Sequence, residues 1–251
     1  MHKLDREKPQ PIRGIYFLPN LFTLAAMFAG FYAIVAGIKG YYENAAIAIF
    51  VAVILDGLDG RIARLMHAQS EFGAQLDSLS DMISFGITPA MVMYTWSLVL
   101  LGKPGWLAAF FYAACTALRL ARYNVQAKTI GKRYFQGLAT PAAASLVASI
   151  IWVCSVYGVT GESMAIPILV IAIALGLLKV STIRYRSFKD LDLRNKVPFI
   201  AILIIVLVLV LVSFDPPDIL LVLTLLYVIS GPIGTVWALQ KKRRMKRLRK
   251  K

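Results

Sequence analysis

Apolar residues run along this chain in long blocks parted by short polar breaks. The blocks approach or exceed the roughly 17–20 residues that a helix needs to cross a bilayer. The pattern predicts eight spans: Ile15–Ile38, Glu43–Met66, Phe72–Leu101, Gly105–Ala127, Gly137–Tyr157, Ser163–Val180, Val197–Phe214 and Asp218–Leu239. The run from Val197 to Phe214 has no charge after its start and is the plainest of them. Polar stretches include residues 1–14, a loop at Ser181–Lys196 and a tail at Gln240–Lys251. The expected fold is all-α, a polytopic membrane helical bundle, with residues 1–251 forming one integral-membrane domain. Composition agrees: 59% of residues are hydrophobic, 16% are charged and the mean hydropathy is +0.69, too apolar for a soluble domain of this length. Cys115 and Cys154 both fall inside apolar runs and read as small buried hydrophobes. The first apolar run is too long for a signal-peptide core and no small-residue cleavage site follows it.

Net charge of +15 would suit a nucleic-acid binder, but its placement argues against one. Lys and Arg collect in residues 1–14, after the second span, in Arg119–Arg133, in Ser181–Lys196 and in the tail. The opposite side keeps Lys39 and Lys103 among 28 basic residues. Such asymmetry places the basic side in the cytoplasm, with both termini there. The basic tail reads first as a topology signal and second as a contact for anionic lipid.

Four carboxylates interrupt the apolar pattern. They stand in D-G-L-D-G-R-I-A-R, eight residues, G, three residues, D, three residues, D, between Asp56 and Asp81. Ionised carboxylates are costly in lipid, and four close together need cations. Asp56 and Asp59 are three apart, and Asp77 and Asp81 are four apart, so each pair shares a helix face. The second span runs inward and the third outward, so all four meet at one depth below the cytoplasmic interface. That makes a hard-oxygen site suited to Mg²⁺ or Mn²⁺.

The pattern D-x-x-D-G-x-x-A-R-x₈-G-x₃-D-x₃-D resembles the signature of the CDP-alcohol phosphotransferases, matched here by Asp56, Asp59, Gly60, Ala63, Arg64, Gly73, Asp77 and Asp81. The resemblance implies transfer of a phosphate-linked group from a CDP-lipid to an alcohol, with release of CMP. It implies two divalent ions, held best by Asp56, Asp59 and Asp77. Asp81 would also lie at the metals and act as general base towards the acceptor hydroxyl. Gly60, Gly73 and Ala63 would leave a slot for the cytosine ring, and Arg64 would contact phosphate or brace an aspartate. Asn20 and Thr23 in the first span match a region beside the family's metal and nucleotide site; taken alone they read as helix–helix hydrogen bonds.

Further segments narrow the likeness. S-F-G-I-T-P-A after Asp81, A-L-R-L-A-R-Y-N at 117–124 and Q-G-L-A-T-P-A at 136–142 are similar to the membrane-embedded phosphatidylserine synthase branch. The last two spans match only as generic helices. This likeness implies CDP-diacylglycerol and L-serine as substrates, a homodimer, and a bacterial cytoplasmic (inner) membrane location. A serine carboxylate needs a cation near the metals. Arg119 and Arg122 are the first candidates, for acceptor or phosphate, with Arg186 and Lys189 weaker. Ser84 and Thr88 either line the acceptor pocket or bond backbone carbonyls. Pro89 is expected to kink the third span.

Two other readings stand beside this one. A sibling transferase would take glycerol phosphate, inositol phosphate or choline; Tyr123, Phe135 and Tyr185 keep an aromatic cage for choline open. A divalent-cation transporter would also carry intramembrane carboxylates, but near the midplane and along a path to the far side.

Overall fold

The computed structural model of the protein describes residues 17–66, 68, 70–129, 137–183, 185 and 199–248. Among these residues every regular element is a helix. The elements are α1 (Phe17–Ile38), α2 (Tyr42–Leu65), α3 (Glu71–Asp81), a π-turn (Met82–Ile87), α4 (Thr88–Trp96), a 3₁₀ turn (Leu98–Leu101), α5 (Lys103–Thr129), α6 (Thr140–Val156), α7 (Ala165–Val180), α8 (Phe199–Phe214) and α9 (Pro216–Leu248).

Small residues set the closest packing. α1 lies along α2 through Ala29, Ala33 and Ala36 on one side and Ala45, Ala48, Ile49 and Ala52 on the other. Side chains this short let two backbones approach, as in membrane bundles. The exterior is the reverse: Phe28, Phe31, Leu209 and Trp237 are among many large apolar side chains left exposed. α6 packs against both α2 and α9, while α5 packs against α7, the π-turn and α4. By length and hydropathy, α1 and the Pro216–Thr235 part of α9 are each sufficient to cross a bilayer. α6 and α7 are shorter apolar helices.

Two sequence expectations change. The third span is not one helix. It breaks after Asp81 into the π-turn, where the Thr88 N–H bonds the Ile83 carbonyl five residues back. Pro89 explains part of this, because it has no N–H to offer Phe85 four residues earlier. The Tyr112 hydroxyl on α5 donates to the Phe85 carbonyl instead, at 3.4 Å. Three hydroxyls then fasten this stretch to α1. Ser80 donates to the Thr23 carbonyl at 3.0 Å, Ser84 to Ala26 at 3.1 Å and Thr88 to Gly30 at 3.0 Å. Four residues overshoot a full α-helical turn by about 40°. The wider π-turn absorbs that drift, so the three hydroxyls stay in one line. Gly30 permits the approach: a Cβ there would lie 2.8 Å from Ser84 Oγ and 2.9 Å from its Cα.

The second change is at the C-terminus. The basic tail continues α9 as far as Leu248 rather than leaving it near Leu239. Lys, Arg, Met and Leu are good helix formers, and no Gly or Pro follows Gly234. Thirty-three residues make a helix about 50 Å long, beyond the roughly 30 Å of a bilayer core.

Tyr185, beyond α7, ties that end of the chain to α9. Its hydroxyl donates to the Val228 carbonyl at 3.1 Å, and its ring stacks on Tyr227 at 5.7 Å and presses on Gly231. Burial, with neighbouring Tyr227, pushes this phenol up to about 12, so it remains a donor.

Candidate active site

α2 and α3 bring the acidic residues together from opposite chain directions. Asp56, Asp59 and Asp77 each offer a carboxylate oxygen, and these atoms lie within 4.8 Å of one another. Asp59 is buried and the other two are half-buried. Thr23 of α1 donates to Asp59 Oδ2 at 2.6 Å, which fixes that carboxylate's orientation. Asp81 stands one turn further along α3, close to both Asp56 and Asp77. Its Oδ1 is buried and has no hydrogen-bond partner among the described residues. A buried carboxylate oxygen without a donor, beside three more carboxylates, is costly unless a cation completes it. The donor set is all hard oxygen, so the residues present fit a metal ion, with Asp56, Asp59 and Asp77 as the group able to hold it.

The glycines behave differently from one another. A Cβ at Gly60 would meet nothing within 4 Å, so this side of α2 is open rather than packed against a helix. At Gly73 the corresponding space is filled by Asn20 Oδ1 and Ser70 Oγ, each 3.2 Å from where a Cβ would stand. Ser70 caps α3 by accepting the Gly73 N–H at 3.0 Å. The slot expected at both glycines is therefore open at Gly60 only, because the start of α1 packs against α3. Ala63 is half-buried, and Arg64 is exposed on the last turn of α2.

α5 supplies the cations, and its two arginines part company. Arg119 is buried and within electrostatic reach of Asp81; its Nη1 stands 3.5 Å from Thr140 Oγ1. Its Nε has no partner among the described residues. Arg122 instead reaches the carbonyls that close α7: Val180 at 2.9 Å, Ser181 at 3.3 Å and Lys179 at 3.5 Å. Helix C-termini carry unpaired carbonyls and partial negative charge, which a guanidinium satisfies. Gly137, at φ +84°, lets the chain pass this junction. A Cβ there would run into the Lys179 carbonyl. Ser84 and Thr88 are fully buried with their hydroxyls on α1 carbonyls. Of the two readings open for them, this geometry is the backbone one, and it removes them from a pocket wall. Tyr185 is engaged with α9 through Val228 and the Tyr227 ring. Arg186, Lys189 and Phe135 lie outside the described residues.

Three features escape a reading by motif. Lys179 is fully buried, donates to Thr116 Oγ1 at 2.7 Å and lies 3.1 Å above the Tyr112 ring centroid. A lysine in the last turn of an apolar helix looks like an interfacial anchor, and no local signal marks its inward turn. Tyr227 of α9 comes within electrostatic range of Arg119. Asn124 pairs with Ser78 across α5 and α3, its Nδ2 donating to Ser78 Oγ at 3.0 Å. Both sit inside quoted motifs, next to residues with plainer charges.

Comparison with known proteins agrees with this arrangement. Residues 16–178 match the family model described as CDP-alcohol phosphatidyltransferase. A Helicobacter pylori protein named CDP-diacylglycerol–serine O-phosphatidyltransferase is 35% identical over 231 residues, covering 92% of this chain and 96% of that protein. A Methanocaldococcus jannaschii protein of the same name is 32% identical over 200 residues, 80% of this chain and 88% of its own. A Mycobacterium tuberculosis protein, also so named, is 40% identical over 144 residues, 55% of this chain and 50% of its own. Four aspartates converging from the motif's two helices, and a family match spanning α1 to α7, lead to one assignment: this chain belongs to the CDP-alcohol phosphatidyltransferase family.

Proposed function

We propose that this protein transfers the phosphatidyl group of CDP-diacylglycerol to the hydroxyl of L-serine, giving phosphatidylserine and CMP. The carrying observation is the acidic cluster, with Asp81 facing Arg119 beside it. The names borne by relatives aligned along nearly the whole chain support serine as acceptor.

In this reading Asp56, Asp59 and Asp77 hold the divalent ions, Mg²⁺ or Mn²⁺, and Asp81 contributes to the same site. Bound metal would neutralise the pyrophosphate and the charge growing on departing CMP, and would acidify the acceptor hydroxyl. Asp81 takes the hydroxyl proton. The serine oxygen forms a bond to the phosphorus carrying the diacylglycerol, and the bond from that phosphorus to the CMP oxygen breaks. Arg119 orients the acceptor carboxylate or the pyrophosphate. The open side of Gly60 admits the nucleotide, with Ala63, Gly73, Asn20 and Thr23 shaping its surroundings and Arg64 at the phosphate edge. Protein in detergent, given CDP-diacylglycerol, labelled serine and Mn²⁺ or Mg²⁺, should release CMP and label phosphatidylserine. CMP released only with choline, glycerol phosphate or inositol phosphate would overturn the acceptor assignment.

The proposal includes a bundle of eight spans with both termini in the cytoplasm, set in a bacterial inner membrane with the site facing inward. The exposed apolar exterior and the Lys/Arg distribution support it. A single cysteine placed in the tail should resist an impermeant reagent in intact cells; labelling from outside would reverse the topology. The family resemblance adds a homodimer, to be read from the mass of the detergent-solubilised protein.

A further inference from the structure

Ser78 and Asn124 form a polar pair that the carboxylates and arginines leave unused. Ser78 follows Asp77 on α3 and precedes Asp81 by three residues. Asn124 lies two residues beyond Arg122 on α5. Both are half-buried. α5 packs chiefly along α7, the π-turn and α4, and the pair is the side-chain link that joins it to α3. The helices run antiparallel. Arg119 meets Asp81 at one level, and Asn124 meets Ser78 about one turn nearer the ends that carry the basic loops.

The hydrogen bonds of the pair have a direction. Ser78 Oγ is 3.0 Å from the Ala74 carbonyl of its own helix, which can only accept. A hydroxyl has one proton. With that proton on Ala74, Oγ accepts from Asn124 Nδ2 at 3.0 Å. The amide oxygen, 3.4 Å from Oγ, keeps its capacity to accept from another donor. A neutral oxygen is thus presented between an acidic cluster and a cationic helix.

We propose that Asn124 Oδ1, oriented by Ser78, seats the ammonium group of a zwitterionic acceptor whose hydroxyl reaches Asp81 and whose carboxylate lies towards Arg119. This rests on the reading of the chain as a transferase to an amino-acid hydroxyl. Ser78 and Asp81 are separated by about 4.5 Å of helix rise. An acceptor with amine and hydroxyl on neighbouring carbons spans that interval with a hydrogen bond at each end. A neutral seat also directs the ammonium without drawing it onto carboxylates needed for the metal.

The test uses the full-length protein in detergent with saturating metal. Asn124→Leu removes the oxygen, Asn124→Asp keeps one, and Ser78→Ala frees the amide to turn. Ethanolamine has hydroxyl and amine but no carboxylate; 3-hydroxypropionate has hydroxyl and carboxylate but no amine. Both are used as competitors of labelled serine. Loss of a charge-assisted hydrogen bond predicts that Asn124→Leu raises the KM for serine about ten- to a hundredfold. The KM for CDP-diacylglycerol should not move. Inhibition by ethanolamine should weaken in parallel, and inhibition by 3-hydroxypropionate should not change. Asn124→Asp should keep the serine KM near wild type. Ser78→Ala should raise it in the same direction but less, and serves if the Leu variant does not fold. Equal weakening of both analogues, a raised KM for CDP-diacylglycerol, or an Asp variant as impaired as the Leu variant would reduce the pair to a tie between helices. A wild-type protein that does not use serine would instead sink the functional reading, before any variant is compared.

Discussion

The acidic wall and the cationic wall of the site are built by different rules. On α2 and α3, each aspartate pair is aimed by the period of its own helix, and three carboxylate oxygens end within 4.8 Å of one another. On α5, Arg119 and Arg122 obey the same spacing rule, yet only Arg119 comes to Asp81. Arg122 goes to the carbonyls at the end of α7. The difference is competition. Four carboxylates concentrated in one place repel every other acceptor and attract cations and hydrogen-bond donors. A guanidinium has rivals for its attention wherever a helix ends, and helix spacing says nothing of where those ends lie.

The sharpest way to break this contrast is on the acidic wall. Asp56→Ala, Asp59→Ala and Asp77→Ala should each cut kcat by about a thousandfold or more, since metal stabilisation of the transition state is worth several kcal/mol. Mn²⁺ binding followed by electron paramagnetic resonance should fall with it. Any one retaining near-normal turnover at ordinary metal concentration would remove that residue from the ligand set. On the cationic wall the two arginines should separate. Arg119→Ala should lower kcat/KM about ten- to a hundredfold with little change in melting temperature. Its effect on the KM for serine or for CDP-diacylglycerol tells which substrate it holds. Arg122→Ala should lower the melting temperature and spare the kinetics of the folded fraction. Equal kinetic losses would erase the distinction drawn from their partners.

Smaller effects test the glycines. Gly60→Ala should fold like wild type and raise the KM for CDP-diacylglycerol, because its side is open. Gly30→Ala should lose about 1–3 kcal/mol of stability, because its Cβ would overlap Ser84. Ser84→Ala should cost about 1 kcal/mol in stability, with KM for serine unchanged. A raised serine KM in Ser84→Ala would return that hydroxyl to the acceptor pocket.

Much of this was legible in the chain because long apolar helices advertise themselves by length and hydropathy. The span Glu43–Met66 becomes α2 at Tyr42–Leu65, and Ser163–Val180 becomes α7 at Ala165–Val180. The carboxylates were legible because nothing but chemistry explains four of them in apolar sequence. What stayed hidden depends on contacts between distant segments. Lys179 turns inward because Thr116 and Tyr112 of α5 receive it. The π-turn is helped by Pro89, which withholds a donor from Phe85 that Tyr112 supplies from another helix. Asn124 is quiet in the sequence because an amide gains meaning only from the atom it faces, here Ser78.

The line of hydroxyls from Ser80 to Thr88 makes the seam of α1 with α3, the π-turn and α4 a counting device. Its three bonds land on Thr23, Ala26 and Gly30 only if the intervening segment holds its present number of residues. Taking one residue out of 82–87 turns everything on one side of the cut by about 100°. Either Thr88 leaves α1, or Asp77 and Asp81 swing away from Asp56 and Asp59. The seam therefore tolerates exchanges of side chain far better than any change in chain length. A single-residue deletion here, which removes no candidate ligand atom, would cost the chain either the seam or the meeting of its aspartates.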